Sequence, residues 1–202
     1  MSVLDAVHGQ YVFGRRVGRI AHHLADLIPA EATVLDVGCG DGTVGSTVMH
    51  LRPDLEIQGI EVAPRPTTHI PVEAFDGESL PYAAKTFDAV LLVDVLHHVE
   101  EPLSLLREVT RVARRAVVIK DHLREGLLAA STLRFMDWVG NSRYGVPLRN
   151  VYWSQAEWES AFRESALTPV EWRRSLNLYP KPASWLFDRG LHFAALLAPA
   201  GA

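Results

Sequence analysis

The chain has 202 residues, 48% of them hydrophobic, with 20 Lys and Arg against 24 Asp and Glu, a formal charge of -4. That is enough chain for one substantial core, so residues 1–202 are expected to form a single domain, and nothing in the charge balance provides the basic surface that nucleic acid requires. The lone cysteine, Cys39, excludes a disulfide framework and points to a reducing, cytoplasmic setting, while the lack of a long apolar run excludes a membrane span.

Val17, Ile20, Ala21, Leu24 and Ile28 recur at helical steps, which predicts a helix that stops near Pro29. Thr33 to Val37 is a short apolar run of the kind found in buried parallel strands, and Val44, Val48 and Leu51 then mark a helical stripe ending before Pro53. Leu55 to Val62 reads as a second strand and Ile70 to Phe75 as a shorter third. Phe87 to Val93 is the most apolar stretch and is expected at the centre of the sheet. It is followed by His97-His98 and by a helix with Pro102 near its start.

Arg115 to Lys120 is a fifth strand. Arg114-Arg115 and Arg173-Arg174 read as solvated pairs, the first also placed to complement a helix C-terminus. Residues 124 to 152 carry an amphipathic stretch through Leu128, Phe135 and Val139, then a loop containing Gly140, Asn141, Gly145 and Pro147. Ser154-Gln155-Ala156-Glu157 is a capping box that opens a helix with Trp158, Ala161 and Phe162 inward. Thr168 to Tyr179 and His192 to Ala198 are expected as the last two strands, with Trp185-Leu186-Phe187 between them. Alternation of strands and helices requires right-handed crossovers, hence an α/β doubly wound, mostly parallel sheet, with the final two strands able to pair antiparallel at one edge.

The chemistry gathers at the run Val34 to Gly42, Val-Leu-Asp-Val-Gly-Cys-Gly-Asp-Gly, and at Gly59-Ile60-Glu61-Val62 about twenty residues on. A strand that turns on glycines into a helix, followed by a strand ending in an acid, is the first half of a nucleotide-type cofactor site. Glycines Gly38, Gly40 and Gly42 let backbone approach a ligand, and Glu61 can accept both hydroxyls of a ribose. A dinucleotide would favour Gly-x-Gly-x-x-Gly, from which this run departs because position 43 is Thr.

Together with Phe75-Asp76-Gly77-Glu78-Ser79-Leu80-Pro81-Tyr82 and Phe87-Asp88-Ala89-Val90 leading to Leu96-His97-His98-Val99, these motifs make the chain resemble the class I S-adenosylmethionine-dependent methyltransferases of small-molecule type, similar to the ubiquinone/menaquinone-biosynthesis group. The resemblance covers Ala32 to Lys120 well. It implies a seven-stranded Rossmann-like sheet with an antiparallel last strand, S-adenosylmethionine as cofactor and S-adenosylhomocysteine as product. It also implies cofactor contacts from Asp36, Gly38, Cys39, Gly40, Gly42, Glu61, Val62, Asp76, Gly77 and Val93. Asp36 would hold the glycine loop and the methionyl ammonium, and Asp76 would receive the adenine amino group.

Methyl transfer from a sulfonium can proceed by positioning alone, so a base is needed only when the acceptor must lose a proton. Ligands in such sheets bind beyond the carboxyl ends of strands, where Asp94, His97, His98, Asp121 and His122 fall. Asp121-His122 is the preferred acid/base pair. His98 matches the histidine that the resemblance places near the cofactor, where it acts on the reaction or holds structure, and His97 is expected at the surface. No metal is expected. Residues 121–153, rich in aromatics through Trp138, Tyr144, Tyr152 and Trp153 with Asp137, Asn141, Arg143 and Asn150, line the acceptor pocket or form a satellite core.

Residues 1–30 are expected as a helical lid, with Tyr11, Arg15 and Arg16 closing over the cofactor or facing solvent. The expected function is methyl transfer to oxygen, nitrogen or carbon of a small, partly apolar acceptor. Two alternatives stay open: a non-catalytic adenosyl-cofactor-binding protein, and a peripheral enzyme on lipid or quinone, suggested by Leu127-Leu128 and Trp185-Leu186-Phe187.

Overall fold

In the computed structural model, which describes residues 3–141 and 151–201 and only the backbone of 3–12, 137 and 139–141, the chain builds one seven-stranded sheet. Helix α1 (Val3–Leu27) lays Ile20, Ala21, Leu24 and Leu27 on one sheet face, and Ile28 and Ala32 lead into β1 (Thr33–Val37). The glycine turn then enters α2 (Thr43–Leu51), followed by β2 (Glu56–Glu61), β3 (Val72–Ala74) and β4 (Phe87–Val93). A short 3-10 turn at Leu96–His98 precedes α3 (Pro102–Val112), which runs directly into β5 (Ala113–His122). Then come α4 (Ala129–Asn141), α5 (Gln155–Glu164), β6 (Leu167–Arg173), α6 (Ser184–Phe187) and β7 (His192–Pro199).

The strand order is β3-β2-β1-β4-β5-β7-β6. The first five strands are parallel, β7 runs antiparallel to β5, and the edge strand β6 pairs antiparallel with β7, as the ending of the sequence leads one to expect. Connections from β1 go outward to β2 and β3 on one side and return to β4 on the other. The crevice beyond the carboxyl ends of β1 and β4 is therefore a topological switch point, where open α/β sheets take their ligands.

Both sheet faces are covered. Leu105, Leu106, Val109 and Val112 of α3 and Trp158 and Phe162 of α5 pack on Val90, Leu92, Val117 and Ile119. The opposite face carries α1 and Val48 of α2 on Val34, Leu91, Val118 and Ala194. Strands buried on both sides cannot alternate polar and apolar residues, which is why β1 and β4 read as continuous apolar runs.

The capping box forms: the Ser154 hydroxyl accepts from the Glu157 N–H at 3.4 Å, and the Ser154 N–H donates to Glu157 Oε2 at 2.7 Å. Four expectations shift. β5 begins at Ala113, so Arg114 and Arg115 are exposed strand residues and the last-turn cation of α3 is Arg111. β6 stops at Arg173 because the following residues leave the sheet, and β3 keeps only its central residues. Gly140 and Asn141, expected in a loop, are instead the last residues of α4, and Arg143, Tyr144 and Asn150, like the side chains of Tyr11, Asp137 and Asn141, lie outside the described residues.

Candidate active site

The glycine turn closes the carboxyl end of β1. Gly38, Gly40 and Gly42 all have positive φ, at 70°, 61° and 77°. Their surroundings differ: a Cβ on Gly38 would come within 2.7 Å of Val95 Cγ2, whereas one on Gly40 would meet nothing within 4 Å. Gly38 is thus a packing glycine, and Gly40 is where the backbone stays open to a ligand. The turn is pinned by the Gly38 N–H donating to the Ile60 carbonyl at 2.8 Å and the Gly42 N–H donating to the Cys39 carbonyl at 3.0 Å. Asp41 Oδ1 accepts from the Thr43 N–H (3.0 Å) and hydroxyl (2.7 Å), which settles the entry to α2.

Asp36 is 2% exposed, and its Oδ1 has no hydrogen-bond partner among the described residues. Burial, then the neighbouring Glu61 charge, pushes its carboxyl up to about 7. A buried carboxylate oxygen left unpaired is costly, and the natural compensation is a cation brought by a ligand. Cys39 lies beside it and is likewise pushed up to about 12, chiefly by burial and then by the Asp36 charge, so it is a neutral thiol.

Glu61 Oε2 accepts from the Gly40 N–H at 2.8 Å, and Oε1 from the Val62 N–H at 2.8 Å. Each carboxylate oxygen keeps a second lone pair, so both hydroxyls of a ribose can still be received. The loop bearing Asp76 is tied to this strand end by the Phe75 N–H donating to the Glu61 carbonyl at 3.2 Å. Asp76 Oδ1 accepts from the Glu78 and Ser79 N–H groups at 2.8 and 3.0 Å, bonds that hold its carboxyl below the ordinary value and leave Oδ2 open. Gly77 abuts the exposed Val62, since a Cβ there would sit 3.0 Å from Val62 Cγ1. Two α3 side chains brace the same loop: Glu108 Oε2 accepts from the Leu80 N–H at 3.0 Å, and Arg111 donates to the Tyr82 and Leu80 carbonyls at 2.7 and 3.0 Å.

Beyond β4 and β5 the structure brings together more polar groups than the sequence announces. Asp94 (φ 57°) receives the Lys120 ammonium on Oδ1 and the Arg16 guanidinium on Oδ2, both at 2.5 Å. Those two cations hold its carboxyl well below the usual range despite its burial. Lys120 is 1% exposed.

His97, expected at the surface, is instead buried, its Nδ1 2.6 Å from Asp121 Oδ1. A histidine in a polar turn looks solvated when read locally; here the tip of β5 supplies a carboxylate beneath it. Asp121 also accepts from the Leu96 N–H (3.2 Å), the His122 N–H (2.8 Å) and His122 Nδ1 (3.2 Å). Although adjacent strand residues point to opposite faces, the expected Asp121-His122 pair is therefore in contact at the strand end. His97 and the surrounding donors keep Asp121 ionised, while burial pushes His122 down from 6.5, so its ring is neutral near pH 7.

With Nδ1 engaged by Asp121, the lone pair of His122 is on Nε2, which makes no hydrogen bond among the described residues. His98 is half-buried, its ring 4.0 Å from that of His97. Tyr152 stacks on His97 at 5.8 Å and meets His122 edge-on at 5.9 Å, so the chain returns to the site there. Trp153 packs on the main core and Trp158, whereas Trp138 is 60% exposed.

His97, Asp121 and His122 are also a possible ligand trio for a metal, with ligand atoms within 4.8 Å of one another. Two donors bound about 2.1 Å from one tetrahedral ion lie about 3.4 Å apart. The 2.6 Å separation of His97 Nδ1 and Asp121 Oδ1 is that of a hydrogen bond, and the trio is an array that shares protons.

Lys120 and His192 were missed by sequence reasoning, whereas Tyr152 was among the aromatics named for the pocket. A lysine ending an apolar strand was the available signal for Lys120. His192 joins the site through its register opposite His122, which no local pattern reveals.

The unpaired Asp36 oxygen, the open Gly40 backbone and the Glu61 carboxylate at the switch point fit S-adenosylmethionine, which carries an ammonium, a ribose and an adenine. No helix among the described residues is long and apolar enough to cross a membrane. In comparison with known proteins, a methyltransferase-domain model matches residues 9–171. Norajmaline N-methyltransferase of Rauvolfia serpentina is 30% identical over 110 residues, 47% of this chain and 37% of that protein. The ubiquinone biosynthesis O-methyltransferase of Xanthomonas axonopodis pv. citri is 30% identical over 101 residues, 44% of this chain and 41% of that one. The chain thus spans less than half the length of these curated relatives. A SAM-dependent methyltransferase structure from Thermotoga maritima superposes with a TM-score of 0.64 at 17% identity, covering 97% of this chain and 95% of that one. With the family model running through the glycine turn, both acids and the β5 tip, the chain belongs to the class I S-adenosylmethionine-dependent methyltransferases.

Proposed function

We propose that the chain transfers the methyl group of S-adenosylmethionine to a small, partly apolar acceptor whose reacting atom loses a proton to His122. The observation that carries the cofactor half is the unpaired, buried Asp36 oxygen at the glycine turn. In this reading Asp36 receives the methionyl ammonium, and Gly38, Cys39, Gly40 and Gly42 form the close backbone wall. Glu61 holds the ribose, and Asp76 and the backbone of Gly77 read the adenine with Val62 against its ring. Val93 marks the strand end beyond which the reacting carbon lies. Bound there, the cofactor supplies a sulfonium-activated methyl group. What the chain adds is position and a proton acceptor: Asp121 fixes the His122 ring with Nε2 as the base, and His97 fixes Asp121. His98 stands beside that array as a second candidate for contact with the reacting groups.

Helix α1 serves as the lid, with Arg16 reaching across to Asp94, and residues 121–153 line the acceptor pocket through Tyr152. A cytoplasmic setting accords with the single, unreactive Cys39. The test is calorimetry with S-adenosylhomocysteine followed by methyl transfer to a panel of phenols, amines and carbon acids. Tight binding with turnover supports the reading, tight binding without any turnover favours the non-catalytic alternative, and no binding removes both.

A second reading, a peripheral enzyme on lipid or quinone, is favoured by one observation. Phe135 and Trp138 of α4 are more than half exposed, Trp185 of α6 is 70% exposed, and Phe135 stacks at 6.5 Å on Phe187. Co-sedimentation with vesicles containing anionic lipid separates the two, since a water-soluble acceptor requires none.

A further inference from the structure

Helix α4 is apolar on both of its sides. Its inner face carries Ala129, Leu133 and Met136, which pack on Tyr152 and Leu191, and Tyr152 stacks in turn on His97. At 3.6 residues per turn Trp138 stands opposite Ala129, where a surface helix ordinarily places a charged side chain, and it is exposed there. The exposed Phe135 lies beside it, the two rings 6.3 Å apart.

Helix α6, Ser-Trp-Leu-Phe, has the same character: none of its residues is buried, and Trp185 and Leu186 are exposed. Stacking of Phe187 on Phe135 joins the two helices. Single exposed apolar side chains are ordinary, but two adjoining elements that turn tryptophan, phenylalanine and leucine outward make a patch that calls for a partner.

The charges around the patch select that partner. Arg134 lies one turn before Trp138 on the outward side of α4, Lys181 is in the turn that leads into α6, and Arg189 is fixed beside the patch by its Nε, which donates to the Leu186 carbonyl at 3.1 Å. All three are exposed, and none meets a carboxylate among the described residues. The acid of the same segment, Asp188, faces inward, where its two oxygens accept from the Leu178 and Tyr179 N–H groups at 3.1 and 3.0 Å. A second copy of the chain fits poorly, because a two-fold interface sets a patch against itself and would bring these cations face to face. A bilayer with anionic headgroups fits on each count: tryptophan suits the headgroup level, the cations meet phosphates, and the remaining apolar side chains enter the acyl boundary. The whole chain carries -4, so attraction to such a surface has to come from this patch.

We propose that α4 and α6 form a docking face for an anionic lipid bilayer. The proposal rests on the peripheral reading above, to which it adds the surface and the charge of the lipid. Two ring relays join the face to the site: α4 through Tyr152 to His97, and Phe187 through Tyr179 (5.4 Å) to His192 (6.0 Å).

The experiment uses the full chain with vesicles of phosphatidylcholine alone or mixed with phosphatidylglycerol, read by co-sedimentation and by quenching of tryptophan fluorescence with acyl-brominated lipid. Partition onto the anionic vesicles is expected to be at least about tenfold stronger than onto neutral ones and to fall about tenfold in high salt. The double variant Trp138→Ser, Trp185→Ser should lose about tenfold or more in partition together with the quenching. The triple variant Arg134→Gln, Lys181→Gln, Arg189→Gln should bind anionic vesicles no better than neutral ones. Affinity for S-adenosylhomocysteine reports that each variant is folded. No partition of the unaltered chain, or partition that both variants retain, would overturn the face. So would a dimer in analytical ultracentrifugation that the tryptophan variant splits, which would give the patch to a second copy. Methyl transfer to a long-chain phenol in the vesicles and to its short-chain analogue in water reads the peripheral enzyme separately: partition with transfer only to the soluble phenol removes the membrane-borne acceptor and supports the docking face.

Discussion

His97 Nδ1 and Asp121 Oδ1 are 2.6 Å apart, both buried, and join the turn after β4 to the tip of β5. Asp121 thereby has two imidazoles on one oxygen, and the geometry makes His122 an oriented base whose own proton is turned inward. Burial lowers the His122 pKa from 6.5, so the base form persists below that pH and the acid limb of methyl transfer should lie below pH 6.5. Asp121→Asn removes the interaction that opposes burial. It should cut kcat by about 10²-fold or more and shift the acid limb to still lower pH, while leaving the affinity for S-adenosylhomocysteine within about twofold. Rates across pH 5 to 9 check this; an unchanged plateau would show that Asp121 only supports the fold.

Gly40 separates cofactor approach from packing. A Cβ there touches nothing within 4 Å, so Gly40→Ala carries only the strain of φ 61°, about 1–2 kcal/mol and a few degrees in Tm. Affinity for S-adenosylhomocysteine should nevertheless fall by about tenfold or more, because the methyl group stands where the ligand must lie. Gly38→Val is the poorer test, since its side chain would run into Val95 and disturb the turn itself. Calorimetry beside a thermal melt distinguishes the two effects, and normal affinity in Gly40→Ala would move the cofactor away from this turn.

Local patterns carried the frame further than the site. β1 and β4 have the bounds that their apolar runs predict, and Ser154 caps α5 as its spacing to Glu157 requires, because these features depend on residues near in sequence. The glycine turn and its two acids were legible for the same reason. His97 was misplaced because its burial comes from Asp121, twenty-four residues on. The role of His192 was invisible because it depends on which strand lies beside β5, and β7 takes that position.

Cys39 sits inside the turn, half-buried between carboxylates, with its thiol pushed up to about 12. Only the thiolate is alkylated, and at pH 8 about one molecule in 10⁴ carries it. Iodoacetamide at that pH should label the folded chain at least about 100-fold more slowly than the chain unfolded in urea, where the ordinary thiol pKa returns. Mass spectrometry of the intact protein follows the reaction. Rapid labelling of the folded chain would mean that the turn opens or that the carboxylates do not face the sulfur.

Asp36 should set the pH dependence of both stability and cofactor affinity, in opposite senses. In the folded chain its carboxyl titrates near 7 rather than 3.8, so between those values the native state holds a proton that the unfolded state has released. The stability tied to that proton is complete below about pH 4, falls as the pH rises toward 7 and levels off above it. A shift of this size is on the order of a few kcal/mol for a fully buried group. Cofactor binding runs the other way: an ammonium needs the ionised carboxylate, so affinity for S-adenosylhomocysteine should rise about tenfold from pH 6 to pH 8. Asp36→Asn removes both titrations. Without ligand at pH 8 it should melt several degrees above the unaltered chain, yet bind the cofactor product weakly and with a flat profile over this range. Melting curves and calorimetry at pH 6, 7 and 8 provide the comparison. If the unaltered chain binds equally well at all three, the cation that completes Asp36 is not the methionyl ammonium.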